Sequence, residues 1–413
     1  MKAILIVGDG MADRPLAELN SKTPLEAATK PSLNLLAEKG VCGIMDVIAP
    51  GIPPGSDVAH LALLGYDAEK VYSGRGAFEA IGFGVEVLPN DVAFRCNFAT
   101  VDSKLKVIDR RAGRIATIDA ARLAEEFKEV TLQGHEDVQI IFQNTIQHRA
   151  ILLLRGVHLS TMVSGSDPYK VGKKVLEVRP LDGAAEAEKT AQILNELTYY
   201  FHEVLKSHPL NIEREMAGLL PANIVLCRGA GKLPDLAPLP LQYGITAVAI
   251  SAMPLVKGVC KAAGMKLINV SGATGTYDTN VLAKANAAIK ALRSYDFVFV
   301  HVKAPDIASH DGRVDEKVRM IEKIDQLVEY ITRNVDLSKT YIAVTADHTT
   351  SSYTKEHEGD PVPVVIYGPE VRTDDIEEFT ERSCARGGLG RIRGKDLLPI
   401  LMNLLGKTKK FGA

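Results

Sequence analysis

The chain has 413 residues, 46% of them hydrophobic, with 49 Lys and Arg against 51 Asp and Glu and a net charge of −2. That length allows two domains, or one large domain with an insertion. A near-balanced charge with no long single-sign block argues against nucleic acid and membrane as partners, and apolar runs such as 151–154 and 297–300 are far too short to span a bilayer.

The chain opens on a predicted strand at 2–7, ending in Gly8-Asp9-Gly10; a single lysine and a short apolar run do not make a signal peptide. Residues 24–38 read as helix, interrupted at Pro31 and stopped at Gly40, and 44–48 as a second strand. A stiff loop with Gly51, Pro53, Pro54 and Gly55 leads into a helix over 57–64, with Gly65 beyond it. Ser56 falls at the expected N-cap. Most such serines only cap, but one there also presents its oxygen where helix N–H groups favour a phosphate.

From about Gly82 the texture changes. Strands are predicted at 85–87, 92–100, 138–142 and 149–154, helices at 119–127 and 184–205, a compact basic loop at 109–114 and a turn at 165–168. Strands that follow one another before any long helix indicate an inserted α+β module. Beyond about Asn223 the pattern alternates. Apolar strands at 223–227, 245–250, 297–302, 341–345 and 362–366 lie between helices at 254–263, 280–292, 315–332 and 395–404. Fully apolar strands between amphipathic helices indicate an α/β domain with a mostly parallel sheet covered by helices on both faces. The five cysteines (Cys42, Cys96, Cys227, Cys260 and Cys384) are dispersed without a C-x-x-C pair, as buried thiols in a reducing compartment would be. A cytoplasmic location is expected.

The chemistry gathers at predicted strand ends. Asp9, Asp306 and the pair Asp347-His348 each follow a strand of the one sheet, and a parallel sheet brings such ends to one edge. Asp306 and His310 are four apart, so a helical turn puts both on one face. His357 and Ser56 lie in loops able to reach that edge. Taken singly, each has a bland reading as a turn aspartate, a helix cap or a solvated histidine. Together they suit two divalent metal ions that clamp a phosphoryl group, with the serine as nucleophile. Walker A, dinucleotide-binding and G-x-S-x-G patterns are absent from the sequence.

The segments L-I-V-G-D-G-M-A-D, G-I-P-P-G-S-D-V-A-H-L-A-L-L-G-Y, S-G-R-G-A-F-E-A-I-G, D-V-A-F-R-C-N-F-A-T, K-A-P-D-I-A-S-H-D-G, T-A-D-H-T-T and H-E-G-D-P-V-P, in this order, resemble the archaeal-type cofactor-independent phosphoglycerate mutases of the alkaline phosphatase superfamily. The resemblance implies an alkaline-phosphatase-like domain (1–76 and 232–413) interrupted by a smaller substrate-handling domain (77–231). It implies that Asp306, His310 and His357 hold one metal, usually manganese, with cobalt, zinc or magnesium as alternatives. Asp9, Ser56, Asp347 and His348 would hold the other, and Ser56 would carry the phosphoryl group. The expected reaction interconverts 3-phosphoglycerate and 2-phosphoglycerate without 2,3-bisphosphoglycerate.

A substrate with a carboxylate and a phosphate calls for arginine forks and lysines. The candidates are Arg110, Arg111 and Arg114, then His148, Arg149 and Arg228, then Lys257. Two other readings remain open at this point: a phosphatase or another phosphomutase on the same metal core, and a metal-binding regulatory protein without turnover.

Overall fold

The computed structural model describes residues 1–412, and the chain divides into two compact units, Met1–Tyr72 with Asp235–Ala413, and Ser73–Pro234.

The first unit is built on an eight-stranded sheet in the order Gly390–Arg393, Val41–Asp46, Val362–Tyr367, Thr340–Thr345, Lys2–Gly8, Phe297–Val302, Ala247–Ile250, Lys266–Leu267. Neighbouring strands run parallel except at Val362–Tyr367, which is antiparallel to both of its neighbours. The central strands are buried at every successive position in Phe297–Val302 and Thr340–Thr345. Since alternate side chains point to opposite faces, both faces are covered. One set of helices packs around Val314–Asn334, and another, including Ser56–Leu63, Pro254–Ala262 and Gly394–Leu404, packs together elsewhere.

Local rules explain the interruption near Pro31. Thr23 and Glu26 form a reciprocal capping box on Pro24–Ala27, and Pro31 opens the next helix, Pro31–Glu38. The register then sets the site. In the middle strand Val7 lies opposite His301 on one side and Thr345 on the other. Asp9, Lys303 and Asp347 therefore leave three adjacent strands at nearly the same level.

The second unit holds a five-stranded antiparallel sheet. Val92–Val101 is flanked by Arg149–Arg155 and Ile224–Gly231, and Gln139–Asn144 and Val107–Asp109 complete it. Residues 223–227 were grouped with the parallel strands, but Ile224–Gly231 pairs antiparallel with Val92–Val101; an apolar run does not reveal its partner. Residues 85–87 form no strand. They follow an unforeseen helix, Arg75–Gly82, and Val85 packs with Ala77, Ala80 and Ala93. All five cysteines are buried thiols, and Cys96 and Cys227 face one another across paired strands with sulfurs 3.2 Å apart.

The glycines around 74 and 231 answer to close backbone approach. A Cβ on Gly74 would lie 1.9 Å from the Ala230 carbonyl oxygen and 2.7 Å from the Gly231 Cα, and Gly74 has φ of 102°. Gly74→Ala is therefore expected to destabilise the protein by about 3 kcal/mol, from overpacking and backbone strain together. Chemical denaturation checks this; a loss below about 0.5 kcal/mol, the range of an ordinary surface substitution, would contradict it.

Candidate active site

Three carboxylates meet at the strand ends of the first unit. Asp9, Asp306 and Asp347 are at most 1% exposed. Asp9 is held by His301 Nε2, which donates to its Oδ2 at 2.7 Å, and by Lys303 Nζ, which donates to its Oδ1 at 2.9 Å. Asp347 Oδ1 accepts from the Gly10 N–H at 3.0 Å, while its Oδ2 is buried without a hydrogen bond. Asp306, on the helix Ala304–Asp311, accepts from the Thr350 hydroxyl at 2.9 Å. Burial alone would raise the Asp306 and Asp347 carboxyls. Lys303 and the histidines beside Asp306, and His348 with His60 beside Asp347, reverse this and hold both well below the ordinary carboxylate range.

Three histidines turn the same nitrogen toward these carboxylates. His348 Nδ1 lies 2.9 Å from Thr350 Oγ1, His310 Nδ1 lies 2.7 Å from the Lys355 carbonyl oxygen, and His357 Nδ1 lies 2.8 Å from the Pro54 carbonyl oxygen. With Nδ1 engaged in each, Nε2 is left for the site. The Nε2 atoms of His310 and His357 are 3.3 and 3.5 Å from Asp306 Oδ1. His348 Nε2 is 3.2 Å from Asp347 Oδ2, 3.6 Å from Asp9 Oδ1 and 3.3 Å from Ser56 Oγ. Donor atoms of Asp9, Asp347 and His348 lie within 4.8 Å of one another, as do those of Asp306, His348 and His357, so His348 belongs to both groups. The oxygen-and-imidazole donor set, the uniform Nε2 presentation and the orphaned Asp347 oxygen fit two divalent ions.

Ser56 is not the N-cap. Gly55 is, and Ser56 is the first residue of the helix Ser56–Leu63, with its carbonyl 2.6 Å from His60 Nδ1. Its hydroxyl is thus free of capping and turned toward His348. The surrounding loops are braced by Lys317, fully buried, whose ammonium donates to Asp13 Oδ2, the Ala12 carbonyl and the Thr350 carbonyl at 2.8, 3.1 and 2.8 Å.

The second unit gathers positive charge. Glu79 is flanked by Arg75 Nε at 2.7 Å and Arg95 Nη1 at 3.3 Å. Arg149 feels Glu79, and is crowded electrostatically by Arg75, Arg111 and Arg228. Burial, chiefly, pushes the Arg95 guanidinium down to about 10. Arg95 Nε, Arg228 Nε and His148 Nδ1 are buried without hydrogen bonds. Arg110 forms a two-pronged pair with Asp167 at 3.0 and 2.5 Å, and Arg110 and Arg228 both lie over the Tyr169 ring.

Of the residues singled out from sequence, Arg111, His148, Arg149 and Arg228 therefore come together, and Arg110 is tied to Arg228 through Asp167. Arg114 is exposed with left-handed backbone (φ 57°), and its side chain makes no ion pair among the described residues. Lys257 belongs to the other unit, where it donates to Asn269 at 2.8 Å. Sequence reasoning passed over His60, His301, Lys303 and Thr350 in one unit and Arg75, Glu79 and Arg95 in the other. His301 and Lys303 were visible as polar interruptions at the end of an apolar strand, and Arg95 as a charge within one.

Burial, then Arg149, Arg111 and Arg95, push the His148 imidazole down from 6.5 to about 4. Its folded pKa lies below its unfolded value, so the unfolded chain binds the extra proton as pH falls from 6.5 toward 4. Stability should decline across that window and be recovered above it. His148→Gln should flatten this decline relative to wild type. Denaturation midpoints at several pH values between 4 and 7 test it; parallel curves for the two proteins would contradict the assignment.

Comparison with known proteins gives a consistent result. A model of the family described as 2,3-bisphosphoglycerate-independent phosphoglycerate mutase matches residues 37–211. Proteins given that name from Methanococcus vannielii and Ignicoccus hospitalis are 46% and 48% identical to the chain; all of it is covered, with 100% and 99% of each relative. A solved structure titled as a cofactor-independent phosphoglycerate mutase from Thermoplasma acidophilum is 35% identical, with a TM-score of 0.72 over 98% of this chain and 100% of that one. A Pyrococcus horikoshii protein is 38% identical, with a TM-score of 0.87 over 100% and 99%.

Proposed function

Because the chain belongs to the 2,3-bisphosphoglycerate-independent phosphoglycerate mutase family, we propose that it interconverts 3-phosphoglycerate and 2-phosphoglycerate through a phosphoserine at Ser56. The observation that carries this reading is the uncapped Ser56 hydroxyl, at the first position of a helix and 3.3 Å from His348 Nε2. Asp306, His310 and His357 would hold one divalent ion, and Asp9, Ser56, Asp347 and His348 the other. Bound there, the ions would supply Lewis acidity to the serine oxygen and to the phosphoryl oxygens. Manganese is the ion that the family resemblance implies; a donor set of carboxylates and imidazoles without thiolate also accepts cobalt, zinc or magnesium.

In the first half-reaction Ser56 Oγ attacks phosphorus in line as the bond to the glycerate oxygen breaks. Ser56 gives up its proton, and the departing glycerate oxygen gains one. The N–H groups and dipole at the helix start favour the resulting phosphoserine. In the second half the other glycerate hydroxyl attacks, and the proton exchange reverses. The net change is the position of one phosphoryl group.

The substrate carboxylate needs charge-assisted donors that do not depend on those ions. We assign it to Arg111, Arg149 and Arg228, together with Arg75 and Arg95. Arg75, Arg95 and Arg149 outnumber the Glu79 carboxylate beside them, Arg111 and Arg228 add charge next to Arg149, and Arg95 Nε is buried without a hydrogen bond. Arg110 is assigned to orienting Arg228 through Asp167. The same reading places the enzyme in the cytoplasm, at the phosphoglycerate step of glycolysis and gluconeogenesis. No helix among the described residues is long and apolar enough to cross a membrane.

Ser56→Ala removes no cap and should leave the fold intact. Its mutase rate should fall by on the order of 10⁴-fold, and an acid quench after adding 3-phosphoglycerate should yield no phosphoprotein, whereas wild type gains one phosphoryl group. Turnover near the wild-type rate would refute the nucleophile. Wild type that releases inorganic phosphate without forming 2-phosphoglycerate would make the protein a phosphatase.

A further inference from the structure

Lys303 ends the Phe297–Val302 strand and starts the Ala304–Asp311 helix, so its side chain emerges between the two carboxylate–imidazole groups. Its ammonium is 2.9 Å from Asp9 Oδ1 and 2.6 Å from Asp306 Oδ2. One cation thus spans both groups, taking one carboxylate from each.

It does so unequally. At Asp306 it takes Oδ2, while Oδ1 stays turned to Thr350 and to the Nε2 atoms of His310 and His357. At Asp9, Oδ2 is already held by His301, and the ammonium takes Oδ1, the oxygen 3.6 Å from His348 Nε2. An ion held by Asp9, Asp347 and His348 must therefore compete with Lys303 for that oxygen. An ion held at Asp306 Oδ1 need not.

Charge balance points the same way. Three buried carboxylates and a phosphoserine of up to two negative charges make about five, against four from two divalent ions. One further cation is required in a site where unpaired charge is costly.

We propose that Lys303 is the resident cation of this site: it holds Asp9 in the metal-free protein, weakens ion binding selectively at the Asp9–Asp347–His348 group, and supplies the balancing charge once Ser56 is phosphorylated. This rests on the two-ion reading above. It assigns Lys303 a positioning and tuning role, distinct from that of an ion ligand or a nucleophile.

The test uses neutral and charged replacements in backgrounds that isolate each group. Metal-stripped Asp306→Ala protein retains the Asp9 group, and metal-stripped Asp9→Ala protein retains the Asp306 group. Each is titrated calorimetrically with manganese, with and without Lys303→Met. Losing the competing charge should tighten binding about tenfold or more in the Asp306→Ala background and change it by less than about threefold in the Asp9→Ala background. In the otherwise wild-type chain, Lys303→Met should lower the phosphoserine formed at saturating manganese about tenfold, while Lys303→Arg stays within about threefold in both measurements. A side chain that only packs would not tighten metal binding when removed. If Lys303→Met does not fold, Lys303→Gln, neutral but able to donate to both carboxylates, carries the same expectation. Unchanged or weaker manganese binding by the neutral variant in the Asp306→Ala background overturns the proposal. Failure of the two-ion reading is seen separately, as wild-type protein that binds fewer than two manganese ions before any Lys303 variant is made.

Discussion

Three carboxylates buried within a few ångströms of one another are unstable unless cations or hydrogen-bond donors meet them. Asp9, Asp306 and Asp347 impose that condition on the first unit. The register of three adjacent parallel strands delivers Asp9 and Asp347 to one level with Lys303, and the helix Ala304–Asp311 that follows brings Asp306 beside them. The chain answers with His301 and Lys303 on Asp9, Thr350 on Asp306, and the Gly10 N–H on Asp347. What these partners leave uncovered, the Asp347 Oδ2 and three inward Nε2 nitrogens, could hold metal ions. The Lys317 brace on Ala12, Asp13 and Thr350 fixes the loops that make this possible.

The second unit has the opposite excess. Arg75, Arg95 and Arg149 surround one buried glutamate, and Arg95's own burial, with the neighbouring cations, lowers its guanidinium to about 10. A buried excess of cations is as unfavourable as a buried excess of anions, and it is relieved by an anionic ligand. The first unit thus gathers buried acids and the second gathers arginines.

Much of the first unit was legible because its signals are local. Asp9 and Asp347-His348 directly follow apolar strands, and Asp306 and His310 have helical spacing, so both the sheet and the residues at its edge follow from pattern alone. Ser56 was placed one position early because a serine ahead of a helix reads as its cap; Gly55 takes that place with extended backbone. His301 and Lys303 were absorbed into a strand and its continuation, since strand pattern rewards apolar residues and ignores a polar one whose partner comes from another strand. The arginine cluster was only half visible. Arg111, His148 and Arg149 stand in recognisable runs of charge, whereas Arg75 lies on an unforeseen helix and Arg95 inside a strand. Arg114 shares a loop with Arg110, yet it is exposed and makes no ion pair among the described residues. Contacts made across the sheet, such as Ile224–Gly231 with Val92–Val101, have no local signature.

The central claim is that one polar edge of the first unit holds two ions, with His348 beside both groups of donors but serving the one at Asp9 and Asp347. Anomalous diffraction from crystals of the manganese-loaded protein tests it most directly. The account predicts two peaks, one bounded by Asp306, His310 and His357, the other by Asp9, Asp347, His348 and the Ser56 hydroxyl. A single peak, or peaks away from these side chains, would contradict it.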